Sequence, residues 1–236
     1  MQEFSSTYDT SVADARPVER AAFIRKTYTL LALAILAFVG VEFVLFGSGI
    51  ASVIALVVFS GGSIGWLVVL AGFMLISYLS NRWAVSDTSN AVQYFGLGVF
   101  IVAEAVIFVP LLYIAAYASG DPSVIFKAGI VSIGLFLGLT LTVFVTRSDF
   151  SWLAPILGIG GFAALGFIVV SALFGFTLGN LFAFIMVAFA GSAILYETSN
   201  VLYRFNTRQH VAAALTLFAS VALLFWYVLR IFSSRR

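Results

Sequence analysis

AVQYFGLGVFIVAEAVIFVPLLYIAA, Ala91 to Ala116, runs for 26 residues with a single charged side chain, Glu104. A helix rises about 1.5 Å per residue, so about 20 apolar residues cross a hydrocarbon layer of about 30 Å. The stretch therefore reads as a membrane-spanning helix, and an acid sits near its middle. Six further stretches read the same way: Thr27 to Phe46, Ile64 to Leu79, Val124 to Val145, Trp152 to Phe174, Leu178 to Tyr203 and Val211 to Phe232. Apolar residues make up 62% of the chain and charged residues 9%, a balance no water-soluble domain keeps. The expected fold is an all-α integral membrane protein with seven transmembrane helices.

Little of the 236 residues remains outside these spans. Residues 1–26 read as a flexible cytoplasmic tail, 27–232 as the transmembrane domain and 233–236 as a short basic end. The tail mixes four acids (Glu3, Asp9, Asp14, Glu19) with four bases (Arg16, Arg20, Arg25, Lys26) among Ser and Thr, a composition that favours mobility. It is too long and polar for the n-region of a signal peptide. Ile50 to Phe59 is apolar but too short to span, so it is a re-entrant or interfacial piece or an extension of its neighbours.

Orientation follows from the bases. An inside N-terminus places Arg16, Arg20, Arg25, Lys26, Arg82, Arg147, Arg204 and Arg208 in the cytoplasm and Lys127, Arg230, Arg235 and Arg236 opposite, which favours N-in and C-out. Because the bases are spread over span ends, the net charge of +2 does not point to nucleic acid. The chain has no cysteine, hence no disulfide, thiolate nucleophile or Cys-based metal site. Tyr28, Trp66, Trp83, Trp152 and Tyr203, near span ends, read as interfacial anchors. Gly134 and Gly138 form a GxxxG that permits close helix approach.

A carboxylate in hydrocarbon costs several kcal/mol, so each buried acid should face a polar cavity, meet a base or carry a proton. Glu104 is mid-span, and Pro110 six residues on frees a backbone carbonyl on the same helix. Glu197 opens a run, Glu197, Thr198, Ser199 and Asn200, which is the densest polar cluster in the apolar region. Glu197 and Asn200 share a face at i, i+3, as do Asn200 and Arg204 at i, i+4, giving a polar stripe toward the cytoplasm. Facing it, the last helix offers Thr216 and Ser220. Glu42, near the outer end of its span, reads as an interfacial acid that reaches water. Gly61, Ser63 and Gly65 spell GxSxG, but a nucleophile elbow needs a strand-to-helix turn and a nearby base, whereas the single histidine, His210, lies in a distant loop. An enzyme is not expected, nor a resident metal or cofactor.

RKTYTLLALAIL (Arg25 to Leu36), VFVTRSDFSWL (Val143 to Leu153) and AGSAILYETSNVLYR (Ala190 to Arg204) resemble, in order, the start of the first span, the loop after the fourth and the sixth-span signature of the Bax inhibitor-1/YccA family. That resemblance implies a seven-helix bundle with the last helix at its centre. In the Bax inhibitor branch it implies a pH-sensitive calcium leak, in which an acid of the sixth-span motif pairs with an aspartate of the last helix. Here the first acid is matched by Glu197 and the second position by Ser220, so the pair is incomplete. Glu197 with Ser220 is more similar to the YccA branch, bacterial inner-membrane proteins that bind and modulate the membrane AAA+ protease FtsH. The resemblance thus implies an FtsH-type protease and the bilayer as partners, with calcium ions or protons as the alternative cargo. Glu197, Glu104, Ser220, Asn200 and Arg204 are the candidates for an ion path or polar network.

Overall fold

The computed structural model describes residues 11–86, 89–118, 121 and 123–234. Among these, seven helices are long and apolar enough to cross a membrane: α1 (Pro17–Gly47), α3 (Gly62–Ala84), α4 (Asn90–Tyr113, continued by a π-helical turn Ile114–Ala118), α5 (Ser123–Thr146), α6 (Leu153–Phe174), α7 (Gly179–Tyr203) and α8 (His210–Ser233). An eighth, α2 (Ile50–Ser60), is an 11-residue helix between α1 and α3.

α2 removes one of the alternatives left open for Ile50 to Phe59. It extends neither neighbour, because Gly49 (φ 80°) breaks the chain from α1 and Gly62 (φ 55°) turns it into α3, a backbone region that suits glycine. Its Ala51 and Ala55 bury against Val109 of α4, and Phe59 meets the Tyr113 ring edge-on.

α8 is the centre of the bundle. Val211, Leu215, Phe218, Ala222, Leu224 and Leu229 are buried on more than one side of it, whereas a helix at the rim buries a single stripe. α1, α4, α5 and α7 pack around it. Aromatic rings knit the middle: Phe38 of α1 touches both Phe108 of α4 and Phe218 of α8, and Phe108 stacks on Phe225. α3 leans on α4 at Gly96, where a Cβ would come within 2.8 Å of the Trp83 Cβ and 2.9 Å of the Ser80 carbonyl. Gly134 and Gly138, by contrast, meet nothing within 4 Å. That GxxxG faces outward from α5, and the close approach it permits is made by Gly96 instead.

The bases gather as the up-and-down order requires. Arg20, Arg25, Lys26, Arg82, Arg147, Arg204 and Arg208 share one end, here termed the basic end, with Lys127 and Arg230 at the other. Of the segment expected as a tail, residues 1–10 lie outside the described residues, as do Arg235 and Arg236. The remainder is built into the fold: α1 begins at Pro17, and Val12 is fully buried, its N–H donating to the Phe205 carbonyl at 2.9 Å. Ser11 bridges to Asn206 and donates its hydroxyl to the Tyr203 carbonyl, and Arg20 donates to the Leu202 carbonyl. The exposed carbonyls at the end of α7 thus find donors in the N-terminal segment.

Candidate functional site

Three acids are carried into the bundle, and the structure gives each a different setting. Glu104, 7% exposed, stands on α4 at the wall of a cavity of about 390 Å³ between α3, α4, α6 and α8. Among the described residues its carboxylate has no hydrogen bond or ion pair, and it lines this cavity. Ser77 and Asn81 of α3 and the Tyr227 hydroxyl of α8 are the other side-chain oxygens of the lining among the described residues. The Ser77 hydroxyl lacks a partner, while Asn81 donates to the Ser77 carbonyl at 3.1 Å. Trp66 and Trp226, stacked with centroids 6.0 Å apart, close the cavity toward the end opposite the bases. They also line a second cavity of about 390 Å³ beyond, with Ser63, Ser171 and Arg230.

Glu197 lies apart from this lining. It accepts from Asn200 Nδ2 at 3.4 Å and faces Thr216 of α8. Ser220 turns its hydroxyl back onto the Thr216 carbonyl, 3.0 Å away, so it offers Glu197 no hydrogen. The stripe foreseen on α7 reaches Asn200 and then divides. Arg204 caps the helix, its N–H on the Asn200 carbonyl, and its guanidinium points outward to Asp149 at 4.0 Å. Glu104 and Glu197 therefore occupy separate helix interfaces.

Glu42 corrects the expectation of an interfacial acid. It is 8% exposed, and both its carboxylate oxygens are enclosed without a partner among the described residues. The cause is helical phase: Thr27, Leu31, Ala34 and Phe38 form the buried stripe of α1, and Glu42 falls one turn after Phe38. Ser63 and His210 open α3 and α8 at opposite ends of the bundle, too far apart for the GxSxG chemistry considered above.

The residues missed in the sequence lie where the three quoted segments meet. Asp149 accepts from the Ser151 N–H at 2.9 Å and from the Ser199 hydroxyl at 3.2 Å, and Ser199 accepts from the Phe150 N–H at 3.0 Å. Those bonds, the Ser151 N–H first, hold the Asp149 carboxyl below the usual aspartate range. Tyr203 donates to the Arg147 carbonyl at 2.6 Å, and Tyr28 lies against Thr198 and Thr140 with its ring edge-on to Phe144. Asp149 two residues before Ser151 is the signature of an Asx turn and could have been found. Tyr28, Trp66 and Tyr203, expected as lipid anchors, are half-buried and meet other side chains or backbone of the protein, while Trp152 is 60% exposed.

The family described as "Inhibitor of apoptosis-promoting Bax1" matches residues 20–236. Among similar proteins, "Uncharacterized protein PA2604" of Pseudomonas aeruginosa is 29% identical over 98% of this chain and 97% of its own length. "Protein LIFEGUARD 4" of Arabidopsis thaliana is 30% identical over 92% of this chain and 86% of its own. "Protein lifeguard 4" of Mus musculus is 25% identical over 94% and 89%. No solved structure matches. With its three signature segments meeting at one end of a bundle centred on α8, and the family matched from residue 20 onward, this chain belongs to the Bax inhibitor-1/YccA family.

Proposed function

We propose that this chain is a regulatory protein of the bacterial inner membrane, of the YccA-like branch, that binds an FtsH-type AAA+ protease and modulates its handling of membrane proteins. The observation that carries the reading is the single acid at the α7–α8 interface. Glu197 is satisfied by Asn200, and Ser220 bonds its own helix, so a pair of carboxylates sharing one proton, the device that would make a pH-gated leak, is missing there. The N-terminus is cytoplasmic and the C-terminus periplasmic in this reading, since seven spans put them on opposite sides. Purification of the tagged chain in mild detergent tests it: the protease should be enriched over an unrelated multi-pass protein, and no enrichment overturns the reading.

One observation favours a second reading, a leak for calcium or protons. Glu104 is a carboxylate at a cavity wall with no partner among the described residues, and such groups mark ion pathways in membranes. Calcium entry into liposomes at mildly acid and mildly alkaline pH, wild type against Glu104→Gln and Glu197→Gln, separates the two. A leak reduced by Glu104→Gln alone supports the path through α3, α4 and α8; equal flux in all three proteins removes it.

A further inference from the structure

We propose that the Glu104 cavity is a binding site for a lipophilic organic ammonium ion. Six of the fourteen residues that line it are aromatic, Trp66, Phe73, Phe100, Phe108, Trp226 and Tyr227. Ring faces carry negative potential and attract cations, most strongly where water is excluded. This cage is lined by one carboxylate, that of Glu104, 7% exposed and with no hydrogen bond or ion pair among the described residues.

A buried carboxylate without a counter-charge is costly, and a bound ammonium supplies the missing charge and N–H donors together. Inorganic cations fit the lining less well. Calcium takes six to eight oxygen ligands, roughly, whereas beside Glu104 the wall offers only Ser77, Asn81 and the Tyr227 hydroxyl as side-chain oxygens. The volume of about 390 Å³ also suits a small organic molecule rather than a bare ion. A compact apolar body against the rings, with its nitrogen at Glu104, satisfies both halves of the lining. The site stands on the cavity alone and does not depend on either reading of the protein's function.

The test uses the full chain in lipid nanodiscs and follows tryptophan fluorescence, since Trp66 and Trp226 stand in the wall. The probes are N-hexylbenzylammonium and its neutral isostere benzyl hexyl ether, which enter lipid through the same apolar groups. The wild type should bind the ammonium more tightly by about tenfold or more. Glu104→Gln should bring the two probes within about twofold of each other. Glu104→Asp and Glu42→Gln, the latter altering a buried acid outside the cavity, should keep the preference. Equal binding of the two probes to the wild type overturns the proposal, and that comparison decides even where Glu104→Gln fails to fold. A preference that survives Glu104→Gln overturns it as well, as does displacement of the ammonium by calcium, which assigns the site to an inorganic cation.

Discussion

Tyr203 at the end of α7 donates a 2.6 Å hydrogen bond to the carbonyl of Arg147, the one non-glycine residue with positive φ (51°) among those described. A left-handed conformation costs a side-chain-bearing residue roughly 1–2 kcal/mol and persists where its surroundings enforce it. Tyr203→Phe should lower stability by about 1 kcal/mol. Arg147→Gly, which accepts the same φ without a Cβ, should restore part of that loss. Thermal unfolding of the two single variants and the double variant in detergent measures the coupling. Strict additivity would show that the phenol does not hold the turn.

Asp149 gives the basic end a dependence on acid. Its carboxyl lies below the ordinary value of 3.8 because the Ser151 N–H, with the Ser151 and Ser199 hydroxyls and Arg204, favours the charged form. Its contribution is therefore complete above the ordinary value and is lost as pH falls through the depressed one. Amide exchange of Phe150 and Ser151 should accelerate, relative to α8 amides, on acidification below about pH 4. Asp149→Asn should exchange faster at neutral pH and lose the acid-dependent step; an unchanged acid response in that variant would assign it to another group.

Glu42 should be dispensable for stability. An enclosed carboxyl with two unsatisfied oxygens is a penalty, and an apolar side chain of similar size removes it. Glu42→Leu should raise the unfolding free energy by about 1 kcal/mol or more. Phe38→Ala, one turn earlier, should lower it by about 2 kcal/mol or more, since its ring touches Phe108 and Phe218. Urea or sodium dodecyl sulfate titrations compare the two, and a loss on Glu42→Leu would mean that the acid meets an ordered polar group.

Gly96 sets the distance between α3 and α4. A methyl group there would meet the Trp83 Cβ and the Ser80 carbonyl at less than 3.0 Å, neither of which can swing aside. Gly96→Ala should cost about 1–3 kcal/mol, and Gly98→Ala, facing open space two residues on, should cost far less. Comparable losses in the two variants would place the helix contact elsewhere.

Span number and position were legible because a helix in lipid must be apolar for its whole length, and that demand writes long runs into the chain. What lay between the runs was harder. Ile50–Ser60 is a separate helix because of two glycine conformations, and composition alone does not reveal a φ. Glu42 lies deeper than its distance from the span end suggests, because helical phase sets its burial, and its spacing from Phe38 carries that phase in the sequence. Glu104 and Glu197 were recognisable as exceptional, but whether they shared a cavity depended on the side-by-side order of α4, α7 and α8, which no single stretch contains. Gly134 and Gly138 had the right spacing and the wrong partner, since a small-residue motif states what a helix allows and not what approaches it. The docking of Val12 on Phe205 joins positions almost a full chain apart and had no local signal at all.

The central place of α8 sets the order of assembly. Of the eight helices among the described residues it is synthesised after the other seven, yet α1, α4, α5 and α7 bury side chains against it. Those helices must wait in the bilayer, their inner faces covered by lipid, until α8 arrives from the ribosome. A nascent chain stopped anywhere before His210 therefore carries the walls without the pillar, and the faces that α8 would cover stay against lipid.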